Sequence, residues 1–190
     1  MVVLMLPMIG FTISNAYEKH MTSSIKSELT AYSYSILALA EVNDGQLYMP
    51  EQLLENRFNV GQSGLYALFS STSAKHSSQT DTAKSFETKT EKVLWRTPSF
   101  LGFADPKLLP EPEMGAFEFA EHNLNDELHF ILSLAVSFSD ESLENTRAST
   151  PLVLHVLYEK LGFENQLNEF KERLWLVLAI FTAAILLFQF

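Results

Sequence analysis

The sequence predicts an α+β domain in which about five antiparallel strands lie between two long helices. Apolar residues near each end of the chain recur at helical spacings of three and four, whereas the middle of the chain alternates with the period of two that is typical of strands. Every charged residue lies between Glu18 and Arg173. The apolar fraction of 47% in 190 residues is enough for one domain with its own core.

The N-terminal region predicts a membrane segment that continues into an amphipathic helix. Residues 1–16 carry no charge and lack the basic start of a secretory signal, so we expect the outer part of a truncated transmembrane helix, although Pro7 and Gly10 interrupt it. One apolar stripe then follows at Ile25, Leu29, Tyr32, Ile36 and Leu39. The turn residues Asn43-Asp44-Gly45 are expected to end this helix.

The C-terminal region mirrors this arrangement. A second stripe at Phe163, Leu167, Phe170 and Leu174 leads into an uncharged tail, residues 174–190. As a helix this tail is ~26 Å long, slightly short of the ~30 Å hydrocarbon core, and a buried core helix is the alternative. We therefore predict a truncated transmembrane segment at 1–16, an extracytoplasmic domain at 17–173 and a truncated transmembrane segment at 174–190.

The strands between these helices are predicted from β-rich or alternating runs, at residues 64–69, 92–96, 115–120, 129–139 and 152–159. The last run is apolar on both faces, which predicts a central strand. Leu134 is expected to be buried against the strand that contains Trp95. Residues 70–91 are rich in Ser, Thr and Lys and predict a long polar loop.

Several classes of function are disfavoured by the composition. The chain has no cysteine, so disulfides and thiolate metal sites are excluded, and a net charge of −10 argues against nucleic-acid binding. The segment Gly61-Gln-Ser-Gly-Leu65 resembles a nucleophile elbow but lacks its final glycine. We find no catalytic residues and no phosphate-binding loop in this chain.

The acidic segment 105–144 is the strongest candidate for a binding site. It contains ten acids and one base. Carboxylate oxygens suit Mg²⁺ or Ca²⁺, so the predicted metal ligands are those around an expected turn, Glu118, Glu121, Asp126 and Glu127. A solvated acidic surface is the alternative interpretation. No other cofactor is predicted.

Two histidines, His122 and His129, lie within this acidic segment. Their separation is not a recognised zinc spacing, and a turn signal lies between them, which favours ordinary strand histidines. Nearby acids are expected to raise the pKa of both imidazoles toward a range useful for sensing pH.

Four segments in order resemble the sensor region of PhoQ-like sensor histidine kinases. They are Asn43–Pro50, Asn56–Asn59, Ser63–Ala67 and Val93–Ser99, and the stretch from Leu157 to Trp175 resembles the lead into the second membrane helix of that family. The resemblance covers roughly residues 16–190. It implies a PAS-like fold of the periplasmic sensor type, dimerisation, and a cytoplasmic kinase that is not part of this chain. The polar loop is longer than this family leads us to expect. The dense acidic run of the best-known members of the family is absent from this chain.

The leading hypothesis is therefore the periplasmic sensor domain of a two-component histidine kinase in the bacterial inner membrane. Cations, protons or cationic peptides would be the signal, the chain would form a homodimer, and the kinase would act on a cytoplasmic response regulator. A bitopic membrane scaffold with an acidic extracytoplasmic domain is the alternative. A membrane-tethered hydrolase ranks far below both.

Overall fold

Helix α1 occupies Val2–Leu37, and a small hairpin of β1 (Glu41–Asn43) and β2 (Gln46–Tyr48) follows it. The computed structural model describes residues 2–43, 45–71, 92–104, 106, 108–139 and 149–188. The predicted helix is confirmed for the stripe from Ile25 to Ile36, and Ile25, Leu29 and Ile36 are buried, but α1 ends at Leu37, before Leu39 and before the turn residues that were expected to end it. Gly45, with a φ of 73°, belongs to the hairpin that follows the helix.

The main sheet contains five antiparallel strands, as predicted. They are β3 (Leu65–Ser71), β4 (Val93–Arg96), β5 (Phe117–Leu124), β6 (Glu127–Ser139) and β7 (Ser149–Glu159), in the spatial order β4-β3-β7-β6-β5. The strand that is apolar on both faces, β7, lies at the centre, because only a strand flanked on both sides and covered on both faces can bury such a run. Most of the long polar loop predicted at 70–91 lies outside the described residues.

One predicted neighbour in the sheet is wrong. Leu134 is only 4% exposed, as expected, but its partners are Phe117 on β5 and Leu154 on β7. The strand with Trp95 is β4, which is separated from β6 by two strands. Alternation within a strand identifies its buried face, but it does not say which strands are neighbours.

Different segments of the chain pack on the two faces of the sheet. One face carries the core cluster of Tyr66, Leu68, Leu124, Ile131 and Leu157, against which Phe100 and Leu109 of the segment after β4 pack. The other face carries Phe117, which meets Tyr34 of α1 with ring centroids 5.7 Å apart. Both faces are buried along the central strands β3, β7 and β6, whereas the edge strands β4 and β5 are partly exposed.

Helix α2 occupies Lys160–Phe188 and begins at the residue after β7 ends. Residues 1–28 and 160–190 form a second compact unit. In the parts of the chain that the structure describes, no helix is both long and apolar enough to cross a membrane.

Candidate functional site

The hairpin of β5 and β6 carries the four predicted metal ligands. Its loop has two residues, Asn125 and Asp126, with φ values of 51° and 67°. Two positive φ angles are typical of the type I′ turn, whose twist matches that of the flanking strands. This tight turn fixes the register, so that Leu124 is opposite Glu127 and each earlier residue of β5 is paired in sequence.

The register does not bring the four carboxylates together. Glu118 and Glu121 are three residues apart on one strand, so their side chains leave opposite faces of the sheet. Glu118 lies six residues before the turn, which at ~3.3 Å per residue is ~20 Å from Asp126 and Glu127. No group of three or more His, Asp or Glu side chains in the described residues is arranged to hold a metal ion. The described residues therefore do not bring all four predicted ligands together, because residues close in sequence separate along an extended strand.

The same register places His122 directly opposite His129. The sequence analysis missed this pair, although the two-residue turn at Asn125–Asp126 contained the signal. A hairpin centred on those two residues pairs every position of β5 with the position of β6 equally far from the turn. The intervening turn, which argued against a site, is the feature that brings the two imidazoles together.

His129 is 0% exposed, and its two ring nitrogens have different surroundings. Nδ1 lies 3.0 Å from the backbone carbonyl oxygen of Glu127, which can only accept, so Nδ1 carries a proton and donates. In the neutral ring Nε2 then holds a lone pair. Nε2 has no hydrogen-bond partner, alone among the buried side-chain nitrogen and oxygen atoms of the described residues. A fully buried acceptor without a donor is costly, and it marks this position as unusual.

The pKa of His122 does not rise as the sequence analysis expected. Burial lowers the pKa of His122, and the neighbouring His129 lowers it further. The rise expected from neighbouring carboxylates is therefore not found. His122 is partly exposed on the edge strand β5, so it lies between solvent and the buried His129.

A second buried histidine lies in the middle of the sheet. His155 Nε2 is 3.0 Å from Ser70 Oγ on β3, and His155 Nδ1 is 2.7 Å from Ser133 Oγ on β6. Burial, with a smaller effect of His122, lowers the pKa of His155 to about 3. The ring is therefore neutral at pH 7, with one nitrogen donating and the other accepting. All three residues are buried, so this Ser-His contact is closed to a substrate and serves the sheet core.

Tyr66 packs between His129 of the β5–β6 hairpin and the core residue Phe100. Its ring contacts His129 edge-on at 5.6 Å and Phe100 at 5.1 Å between centroids. Burial raises the pKa of Tyr66, and the carboxylates of Glu159 and Glu127 raise it further against a hydrogen bond to Gly64. The phenol is neutral at physiological pH and packs as a core residue.

The unit of residues 1–28 and 160–190 is a pair of antiparallel helices. Tyr17 stacks on Phe170 with centroids 3.9 Å apart, and Glu18 accepts a 3.3 Å charged hydrogen bond from Lys171. Gly10 lies so close to α2 that an added Cβ would stand 2.5 Å from Leu178 Cδ1. Long apolar side chains on both helices remain exposed: Met5, Met8, Ile9, Phe11, Ile13, Trp175, Leu176, Val177, Ile180, Phe181, Leu186 and Leu187.

Comparison with known proteins found no matching protein-family model, curated protein or solved structure.

Proposed function

We propose that this chain is the sensor region of a PhoQ-like histidine kinase, with residues 17–173 in the periplasm and residues 1–16 and 174–190 in the inner membrane. The five-stranded antiparallel sheet between two long helices is compatible with the PAS-like architecture that this role requires. The kinase, which lies outside this chain, would phosphorylate a cytoplasmic response regulator, and the receptor would act as a homodimer.

The observation that carries the proposal is the exposed apolar surface of the paired helices. Water-soluble monomers rarely expose apolar patches larger than a few hundred Å². Twelve of the fourteen large apolar side chains that are exposed on the described parts of α1 and α2 lie within 5–13 and 175–187, two parts of the chain that carry no charge; the other two are Tyr34 and Leu161. A lipid environment removes the cost of this surface, because hydrocarbon tails solvate it.

The connections of the chain suggest how a signal would travel. Central strand β7 ends at Glu159, and α2 begins at Lys160 without a linker. Helix α1 likewise continues without a break from residues 2–28 into the body that contains the sheet. The proposed route for a signal is therefore from β7 into α2, which are consecutive in the chain.

Mg²⁺ and Ca²⁺ are the first ligands to test. The segment 105–144 has nine more acids than bases, so it attracts divalent cations and is repelled by an anionic membrane surface. Cations that bridge these two surfaces need not be held in one four-carboxylate shell, which agrees with the separation of Glu118 and Glu121 along β5.

The test is a chimera in which the complete chain is joined to the cytoplasmic part of an established sensor kinase. We expect reporter output to change several-fold when external Mg²⁺ or Ca²⁺ is varied at constant ionic strength. Pairing of α1 and α2 is needed for transmission, so Gly10→Ile should abolish the response, whereas Gly162→Ala, on open helix surface, should preserve it. Constant output over all cation, pH and cationic-peptide conditions, from a chimera present in the membrane, would refute the proposal.

The bitopic scaffold remains the second candidate, and one observation favours it. Leu54, Leu101 and Leu108 in the 29–159 body are all at least 75% exposed, so each is accessible to a protein partner. A scaffold would give constant reporter output in the chimera and would lose partner binding on substitution of these leucines.

A further inference from the structure

We propose that His122 and His129 form a two-imidazole site for a borderline divalent transition-metal ion such as Zn²⁺, Ni²⁺ or Cu²⁺. The site would lie at the open edge of the sheet, with coordination completed by water. This inference uses only the hairpin geometry and does not depend on the proposed sensor function.

The distance between the two opposed histidines allows both rings to bind one ion. Directly opposed residues of antiparallel strands have Cβ atoms roughly 4.5–5.5 Å apart, with both side chains on the same face. Zn–N bonds of roughly 2.0–2.1 Å then allow two imidazoles to share one ion without backbone movement. The type I′ turn at Asn125–Asp126 holds this register rigidly, so the pair is preorganised.

The hydrogen bonding of His129 is that of a metal-binding histidine. Histidines that ligate metals almost always donate their other ring N–H to a carbonyl, carboxylate or water, which fixes the tautomer. His129 already has this arrangement, since Nδ1 donates to the Glu127 carbonyl and leaves the Nε2 lone pair unused in a buried position. A metal ion would satisfy this lone pair and remove the cost of burying it.

His122 makes the histidine pair accessible from solvent. His122 is partly exposed at the sheet edge, which gives a hydrated ion a route to the pair.

The two nitrogen ligands determine which ions the site prefers. Imidazole nitrogens suit Zn²⁺, Ni²⁺ and Cu²⁺, whereas Mg²⁺ and Ca²⁺ require oxygen ligands. Glu159 is in the same row, opposite His129 on β7, but its Oε2 lies only 2.8 Å from the position of a Cβ on Gly64. That carboxylate is therefore directed toward the start of β3, in agreement with the absence of a three-ligand group in the described residues.

The experiment is equilibrium dialysis of the full chain in detergent against Zn²⁺, Ni²⁺ or Mg²⁺. We expect one Zn²⁺ or Ni²⁺ per chain and no Mg²⁺ at this site. His122→Asn should weaken Zn²⁺ binding at least about tenfold, as loss of a ligand or its support does. His20→Asn removes an exposed histidine of α1 and should leave binding unchanged.

A second measurement identifies the ligand atoms directly. The spectrum of bound Cu²⁺ should show splitting from two imidazole nitrogens in the unmodified chain and from one in His122→Asn. The proposal is wrong if the unmodified chain binds no Zn²⁺, if His122→Asn binds it equally well, or if His20→Asn weakens binding to the same extent.

Discussion

Acidification should destabilise this protein through His155, and the size of the effect follows from its surroundings. The ring is buried in the centre of the sheet, and burial lowers its pKa to about 3 from the usual 6.5. In the unfolded chain the same ring takes up a proton near pH 6.5. Because the folded state binds this proton only near pH 3, stability is fully present above pH 6.5 and is lost as the pH falls toward 3.

The magnitude follows from linkage. Each pH unit between the two pKa values costs about 1.4 kcal/mol, so His155 removes about 5 kcal/mol of unfolding free energy over the whole interval. Between pH 6.5 and 4.5 the expected loss is about 2–3 kcal/mol, a large part of the ~5–15 kcal/mol typical of a domain.

The assay is urea unfolding of the full chain in mild detergent at several pH values, for the unmodified protein and for His155→Gln. Glutamine can still donate to one of Ser70 and Ser133 and accept from the other, but it does not titrate. The difference between the two proteins cancels the contribution of carboxylates elsewhere. We expect the variant to lose stability less steeply, by about 1.4 kcal/mol per pH unit below pH 6. Equal slopes for the two proteins would refute the reasoning.

Two further pairs of substitutions test the packing. Leu134→Ala should cost ~2–5 kcal/mol in urea unfolding, because the side chain is enclosed between β5 and β7, whereas Leu108→Ala, at a side chain 91% exposed, should change stability little; equal costs would contradict the assigned burial. Gly10→Ile should separate the helix pair by driving a branched side chain into Leu178, while Gly162→Ala should be neutral or raise stability by up to ~1 kcal/mol, as scored by the thermal midpoint. A Gly10→Ile midpoint at or above that of the unmodified chain would show that the helices do not meet there.

Much of the architecture could be predicted from the sequence because it is encoded locally. Apolar stripes identified both long helices, and the doubly apolar run at 152–159 identified the central strand before any neighbour was known. The order of the other strands could not be obtained in this way. The expected contact of Leu134 with the Trp95 strand failed, because neighbours in a sheet are chosen by packing over long sequence distances.

The arrangement of the candidate site residues could not be predicted from their separation in the sequence. Proximity in sequence suggested a shared metal site for Glu118 and Glu121, and strand alternation places them on opposite faces. His122 and His129 were set aside because a turn separates them, yet the conformation of that turn pairs them. Nothing in the sequence indicates that Nε2 of His129 lacks a partner, since this depends on the tertiary surroundings of the ring.

The location of the 29–159 body outside the cytoplasm is the central claim, and the absence of cysteine allows a direct measurement. Leu108→Cys introduces a single thiol at a highly exposed position of that body. Intact bacteria that express the chain would be treated with a thiol reagent that cannot cross the inner membrane, with the cysteine-free chain as the blank. Our account predicts full labelling of Leu108→Cys in intact cells, at the level reached after the inner membrane is permeabilised. Labelling that occurs only after permeabilisation would place the body in the cytoplasm and contradict the sensor function.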